Sequence, residues 1–188
     1  MNHFGCFNQF HPITPKDYQL LSDKLKPKSF KKGEQLVVPG QIQQELYFVN
    51  SGVQMSFFES ERKTHVIAFT YPPNICAIPE SFSLQLPSQS FLTCLTDSEM
   101  DCLDFDTLQN LFDESTAIER LFRKMTEMVL AGVLKRQMEL LSKTMEERYV
   151  GFCRRSPHLL QLVPHKYIAS YLGIDATNFS KLYNQVKF

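Results

Sequence analysis

The chain has 188 residues, of which 43% are hydrophobic and 21% are charged. This length and composition suit one large core, or a main domain with a small appendage, and they exclude a disordered chain. No apolar run approaches the roughly 20 residues of a membrane-spanning helix, and the N-terminus lacks the basic-then-apolar order of a secretory signal, so we expect a cytoplasmic protein without membrane contact.

The cysteines predict neither disulfides nor a metal site. They are Cys6, Cys76, Cys94, Cys102 and Cys153, an odd and widely scattered set without a CxxC pair. We interpret them as reduced core thiols.

Charge is unevenly distributed, although the formal net charge is zero. Residues 143–188 contain 7 Lys or Arg against 3 Asp or Glu, whereas residues 1–142 contain 13 against 17. A basic C-terminal segment on an acidic body is typical of a small nucleic-acid-binding module.

The first half of the chain indicates a short helix followed by many strands. Thr14-Pro15 opens an amphipathic segment, which predicts a helix over residues 14–25. From residue 28 to residue 104, short apolar runs alternate with turn signals such as Pro39-Gly40 and Asn50-Ser51-Gly52. This spacing is typical of an antiparallel barrel or sandwich.

From residue 116, apolar side chains recur at helical spacing and predict one long helix over residues 116–143. Such a helix has two apolar faces and is too long for one small barrel to cover, so the expected partner is the same helix of a second subunit. Burial wholly within its own domain is the alternative. The predicted dimer interface consists of Ile118, Leu121, Phe122, Met125, Met128, Val129 and Gly132.

A domain boundary is predicted at the end of this helix. Thr144 and Glu147 form the T-x-x-E pattern of a capping box, which indicates that a new helix begins there. That helix should run to Arg155, because Ser156-Pro157 stops it.

The last residues, VPHKYIASYLGIDATNFSKL, predict two short helices joined by a tight bend. Gly173 tolerates the left-handed conformation of the bend, and Asp175 is a good N-cap for the second helix. Ala169 is small enough for a close crossing of the helices. Together with apolar Phe179 and Leu182, this spacing is that of a helix-turn-helix, whose second helix enters the DNA major groove.

The outer face of this pair is predicted to contact DNA. Its side chains can hydrogen-bond base edges or phosphates. The predicted set is Lys166, Ala176, Thr177, Asn178, Lys181, Asn184 and Gln185. Further phosphate contacts are expected from Arg148, Arg154, Arg155 and Lys187.

The order of motifs along the chain resembles the bacterial Crp/Fnr transcription regulators. The matching pieces are FKKGEQLVVPG, ELYFVNSG, LTDSEM, EERYVGF and the terminal stretch quoted above. The resemblance implies an α+β chain with an N-terminal double-stranded β-helix (a jelly-roll-like sensor roll, residues 1–115), a long dimerisation helix (116–143) and an all-α helix-turn-helix domain (144–188). The segment RRSPHLLQLVP is too short for the β-hairpin wing of other members, so the last domain is expected to lack one.

The resemblance further implies a homodimeric transcriptional regulator that binds a two-fold-related double-stranded DNA operator and acts with RNA polymerase. It implies that Thr177, Asn178 and Lys181 occupy base-contacting positions.

The residues that bind cyclic AMP in the family are missing here. Ala77 and Ile78 stand where a Gly-Glu pair is expected, and Ser88 stands in place of an arginine that neutralises the cyclic phosphate. No Lys or Arg occurs between Lys63 and Arg120. Cyclic AMP is therefore not the expected effector.

Another small ligand could use the same region. The candidate pocket consists of Ala77, Ile78, Glu80, Ser88, Gln89 and Ser90. The alternative is that these residues form the solvated rim of the roll.

No cofactor is expected. Only Cys6 lies in the first 70 residues, too few thiols for an iron–sulfur cluster within one chain, and no residue pattern indicates haem. A cupin-like metalloenzyme would need several histidines on the roll, but residues 28–104 contain only His65, so catalysis is not expected. The alternative to a DNA-binding regulator is a ligand-binding or scaffolding roll that dimerises without binding DNA.

Overall fold

The computed structural model describes residues 3–61 and 63–186, and its strands form two antiparallel four-stranded sheets. The strands are β1 (Lys26–Phe30), β2 (Gln35–Val37), β3 (Glu45–Ser51), β4 (Gln54–Ser60), β5 (Lys63–Thr70), β6 (Ile75–Cys76), β7 (Phe91–Cys94) and β8 (Ser98–Asp104). The sheet orders are β1-β8-β3-β6 and β2-β7-β4-β5, so β5 is an edge strand. This arrangement confirms the predicted β-roll.

Helices precede, interrupt and follow the roll. They are α1 (Phe4–Phe7), α2 (Pro15–Ser22), α3 (Pro79–Leu84), α4 (Phe105–Glu114), α5 (Thr116–Ser142), α6 (Met145–Arg155), α7 (Leu159–Leu162), α8 (His165–Leu172) and α9 (Ala176–Gln185). The predicted helices over 14–25 and 116–143 correspond to α2 and α5, whereas α1, α3, α4 and α7 were not predicted. None of the helices in the described ranges is long and apolar enough to cross a membrane.

The turn between β3 and β4 requires glycine. Gly52 has a φ of +92°, in the left-handed region that L side chains rarely adopt. A Cβ atom at this position would lie 2.2 Å from the Ser98 hydroxyl oxygen and 2.6 Å from the Asp97 carbonyl oxygen. The turn therefore packs against the loop before β8 at a distance that only glycine allows.

The interior of the roll is filled by its own side chains. This core contains Val37, Tyr47, Val49, Cys76, Ile78, Leu92, Cys94, Met100 and Cys102. Burial raises the pKa of Cys76 and of Cys102 to about 12, so both thiols remain protonated at neutral pH. All five cysteines are free, and four of them are buried, as predicted; Cys6 is partly exposed.

A second core joins the N-terminal helices, α4 and the beginning of α5 to the outer surface of one sheet. Ile118 and Leu121 are 0% exposed within this core, where they pack with Leu21, Phe48 and Leu111. The sequence prediction that Ile118 and Leu121 face a second subunit therefore needs correction, because both side chains are fully covered by their own chain. Helical periodicity identified the apolar face but not its partner.

The middle of α5 extends beyond the roll, and its apolar side chains are exposed. Phe122 and Met125 are partly buried against the second core, but the following side chains are each more than half exposed. These exposed side chains are Met128, Val129, Leu130, Val133, Leu134, Met138 and Leu141. Gly132 is exposed among them. A continuous apolar surface of this kind indicates an interaction site.

The helices after α5 pack on the roll. The predicted capping box is present, since the Thr144 hydroxyl accepts from the Glu147 N–H and the Glu147 carboxylate accepts from the Thr144 N–H. The one-turn helix α7 occupies the segment in which a wing hairpin would lie. A third core joins both parts of the chain and contains Val53, Tyr149, Phe152, Cys153, Leu159, Val163, Ile168, Ala169, Leu172, Ile174 and Phe179.

Candidate nucleic-acid interface

Helices α8 and α9 form the predicted helix-turn-helix. Gly173 ends α8 in the left-handed conformation with a φ of +62°. Its N–H donates to the Ser170 carbonyl, and the Ile174 N–H donates to the Ala169 carbonyl, each at 3.0 Å. These two bonds satisfy the last carbonyls of α8 and turn the chain sharply into the next helix.

The inner face of α8 is buried as predicted, whereas the inner face of α9 buries Phe179 fully and Leu182 only partly. Ile168, Ala169 and Leu172 of α8 are at most 3% exposed, and so is Phe179 of α9. The ring of Phe179 packs edge-on against that of Tyr149, with ring centres 5.6 Å apart. This packing holds α9 against α6 and α8, which leaves its opposite face to solvent.

The start of α9 is capped by Asp175. The carboxylate accepts from the Asn178 N–H at 2.9 Å, and its second oxygen accepts from the Asn178 side-chain amide at 2.5 Å. These bonds hold the pKa of Asp175 below its ordinary value. The Asp175 carboxylate is thus hydrogen-bonded to the N-terminus of α9, where the candidate DNA-binding face begins.

Most of the predicted DNA-contacting residues share one exposed face. Those exposed on α9 are Ala176, Thr177, Lys181, Asn184 and Gln185, and Lys166 is exposed on α8. Asn178 differs, because it is half-buried and its amide is bonded to Asp175. In this arrangement the Asn178 amide contributes to the cap, and its role as a base-reading side chain stays a prediction.

Two of the arginines expected at phosphates make contacts within the chain instead. Arg148 donates to the carbonyls of Lys143, Leu172 and Gly173, and Arg155 contacts the Glu139 carboxylate at 3.4 Å. Arg154 is exposed on α6, as a phosphate contact requires. Lys187 lies outside the described residues.

The residues of the candidate ligand pocket differ in exposure. Glu80 and Gln89 are exposed and Ala77 is partly exposed, whereas Ile78 is buried. The Ile78 N–H donates to the Gln43 side chain at 2.8 Å. The Ile78 N–H is therefore unavailable to a ligand, and the pocket as a whole stays a prediction.

Ser88 and Ser90 are buried but bonded to each other. The Ser88 hydroxyl donates to the Ser90 carbonyl at 2.7 Å and accepts from the Ser90 N–H at 3.0 Å. The hydroxyl that stands in place of the family's arginine is thus used in a local turn.

A cleft of about 570 Å³ lies elsewhere, at the junction of the roll and the C-terminal helices. It is bounded by the turn at Gly52, by Tyr71 and Asp97, and by His158 and Leu162 of the helical part. The Tyr71 ring meets His158 edge-on, and its hydroxyl lies 2.6 Å from that of Ser156. These contacts join the two parts of the chain at one end of α7.

Sequence reasoning missed the residues that attach α8 to its surroundings. The guanidinium carbon of Arg136 on α5 lies 4.1 Å from the centre of the Tyr171 ring, and Tyr171 also contacts Phe69 of β5. Ser170 bonds to the main chain of β5. The one local sign of the Arg136 contact was the position of this arginine among apolar residues of α5. No local sequence feature indicated the contact of Ser170.

The fold is that of Crp/Fnr regulators of known structure. FixK2 from Bradyrhizobium japonicum is similar with a TM-score of 0.74 and 19% identity, covering 86% of this chain and 83% of that chain. A Crp/Fnr-family transcriptional regulator from Eubacterium rectale gives a TM-score of 0.72 at 16% identity, covering 98% and 87%. A CooA mutant from Carboxydothermus hydrogenoformans gives 0.66 at 19% identity, covering 87% and 77%. No family model and no curated protein matches the sequence.

Proposed function

We propose that this chain is a DNA-binding transcriptional regulator that acts as a homodimer and inserts α9 into the major groove of an operator. The observation that carries the proposal is the exposed face of α9, where Thr177, Lys181 and Gln185 stand on a helix that α8 braces from behind. The polar and positive character of this face suits base edges and phosphates. The three-part division into a sensor roll, a dimerisation helix and a DNA-binding domain from residue 144 belongs to the same proposal.

The exposed apolar surface of α5 supports the homodimer. Val133 is 58% exposed and Leu141 is 81% exposed, and both lie on α5, the longest helix of the described chain. Pairing with the same helix of a second subunit would bury them and form a self-complementary interface. Two copies of α9 would then face the same duplex.

The contacts around Ser88 and Ile78 support a regulator that does not respond to cyclic AMP. A cyclic phosphate needs a cation or free donors, but the Ile78 N–H and the Ser88 hydroxyl are bonded internally. The cleft beside Tyr71 and His158 is a better candidate than the roll interior for a small effector, because it lies between the two functional parts. A cytoplasmic location and RNA polymerase as a partner follow from the proposed regulatory role.

Titration of a random-sequence duplex at two salt concentrations tests the proposal, followed by selection of bound fragments from randomised DNA. We expect micromolar or tighter binding that weakens as salt rises. Lys181→Ala should reduce the slope of log affinity against log salt by about 2 for a dimer, one for each subunit. The matched control is Lys135→Ala, at an exposed lysine of α5.

Absence of binding by the wild-type chain at low salt would overturn the proposal. That result would favour the alternative of a roll that dimerises without DNA. An unchanged salt slope in Lys181→Ala, with normal wild-type binding, would remove Lys181 from the interface.

A further inference from the structure

The helix-turn-helix is attached to the edge strand of the roll by a side-chain hydroxyl. Ser170 of α8 donates to the Thr64 carbonyl at 2.8 Å and accepts from the Val66 N–H at 3.0 Å. An edge strand carries main-chain groups that no neighbouring strand satisfies. One hydroxyl can donate and accept at once, so Ser170 satisfies two of these groups.

The neighbouring residue holds α8 to the dimerisation helix as well. The Tyr171 ring contacts Phe69 of β5, with ring centres 5.4 Å apart, and it also contacts the guanidinium of Arg136 on α5. Arg136 is partly buried, and its Nη1 atom has no hydrogen-bond partner among the described residues. Burying part of a cation in this way is costly, and the tyrosine ring stabilises it at this position. Residues 170 and 171 thus connect α8 to both the roll and α5.

Movement of Ser170 would be passed directly to α9. The Ser170 carbonyl accepts from the Gly173 N–H, the bond that begins the bend between the two helices. The candidate DNA-contacting face stays exposed while Ser170 is bonded to β5. The contact with β5 therefore positions this face without covering it.

We propose that Ser170 is a positioning residue: its hydroxyl ties the helix-turn-helix to strand β5 and so fixes the distance between the two recognition helices of the dimer. This inference rests on the proposed function. Half-sites lie about 34–36 Å apart on one face of DNA, and each added base pair shifts and rotates one half-site relative to the other. A dimer whose two helix-turn-helix units are rigidly held binds weakly when the spacing is altered, whereas a dimer whose units are loosely held tolerates the change.

The test uses the full chain and a two-half-site duplex selected by the wild type from randomised DNA. Affinity is measured for this duplex, for versions with one or two base pairs inserted at its centre, and for a single half-site. Ser170→Val and Ser170→Thr are compared, because they are nearly equal in shape and differ in the hydroxyl. Ser170→Ala is a second variant without the hydroxyl, and its matched control is Ser83→Ala, at an exposed serine of α3.

When one base pair is inserted, we expect the wild type, Ser170→Thr and Ser83→Ala to lose about tenfold or more in affinity. Because Ser170→Ala and Ser170→Val lack the two hydrogen bonds, their loss of affinity on the same insertion should be about five times smaller. The affinity for a single half-site should not change in these variants, and neither should the mass of the dimer. Hydrogen exchange of the Val66 amide should accelerate only in the variants without the hydroxyl.

Three outcomes would overturn the inference. The first is an equal spacing penalty in wild type and Ser170→Val together with faster exchange at Val66. The second is unchanged exchange at Val66 in Ser170→Val. The third is that both hydroxyl-free variants fail to fold while Ser170→Thr folds, because the hydroxyl would then determine folding instead of position. A wild-type chain that selects no duplex would overturn the proposed function, while the exchange measurement would still report on the Ser170 contact.

Discussion

The guanidinium of Arg148 on α6 donates from Nε to the Leu172 carbonyl, 2.9 Å away at the end of α8. The same side chain donates to the carbonyls of Gly173 and Lys143, so it joins the bend of the helix-turn-helix to the end of the long helix. Lysine cannot reproduce this planar set of donors. Arg148→Lys should therefore lower the free energy of unfolding by about 2 kcal/mol, as measured by urea denaturation.

Arg154→Lys is the matched control for this prediction, because Arg154 lies on the same helix and is exposed. We expect its free energy of unfolding to stay within about 0.5 kcal/mol of the wild type. Equal stability of the two variants would show that the bonds of Arg148 to the α8 carbonyls contribute nothing to the fold.

Gly52→Ala should destabilise the roll strongly. The new Cβ would meet both the Ser98 side chain and the Asp97 main chain, and the backbone has a positive φ. We expect a loss of about 3 kcal/mol in the free energy of unfolding. Gly33→Ala isolates the backbone strain, since its φ is +86° with nothing within 4 Å of the added atom, and should cost about 1 kcal/mol. A similar loss in both variants would contradict the close approach at Gly52.

Val133→Glu should dissociate the proposed dimer. A carboxylate at this exposed apolar position would be buried without a partner when two α5 helices pair. Lys135→Glu places the same charge at a position that is already charged and exposed, about 160° away from Val133 at 100° per residue, and should leave the dimer intact. Sedimentation of both variants at micromolar concentration is the measurement. A dimer that survives Val133→Glu would move the interface to another surface.

Acid should weaken the cap of α4. The Thr107 N–H donates to the Asp104 carboxylate at 2.9 Å and holds the pKa of Asp104 below its ordinary value. A pKa that is lower in the folded state contributes stability above the unfolded value of about 4, and this contribution is lost as pH falls through the folded value. The stability advantage of wild type over Asp104→Asn should therefore be larger at neutral pH than at about pH 3. Chemical denaturation at both pH values checks this, and an advantage that does not change with pH would contradict it.

The elements predicted best were those with local signals. The capping box of Thr144 and Glu147, the left-handed Gly173 and the cap at Asp175 each depend on residues within a few positions of one another. Helix α4 was missed because Asp104 ends strand β8 and caps the helix at once, which leaves no loop between them. The division of the chain into three domains stays a prediction.

Contacts between distant residues could not be predicted from the sequence. Ser170 meets Thr64 and Val66 from more than a hundred positions away. Helical periodicity placed Ile118 and Leu121 on an apolar face, but only the packed chain identifies the roll as their partner. Arg148 was expected at a phosphate because an arginine on a helix suits either an anion or a carbonyl, and sequence alone does not distinguish the two.

The stoichiometry of the complex with DNA tests the central claim most directly. Sedimentation velocity of the chain with a labelled duplex, selected by the wild type and carrying two half-sites, measures how many chains bind each duplex. We predict two chains on each duplex and no stable complex with Val133→Glu under the same conditions. A single chain on each duplex, or no complex in dilute salt, would contradict the account.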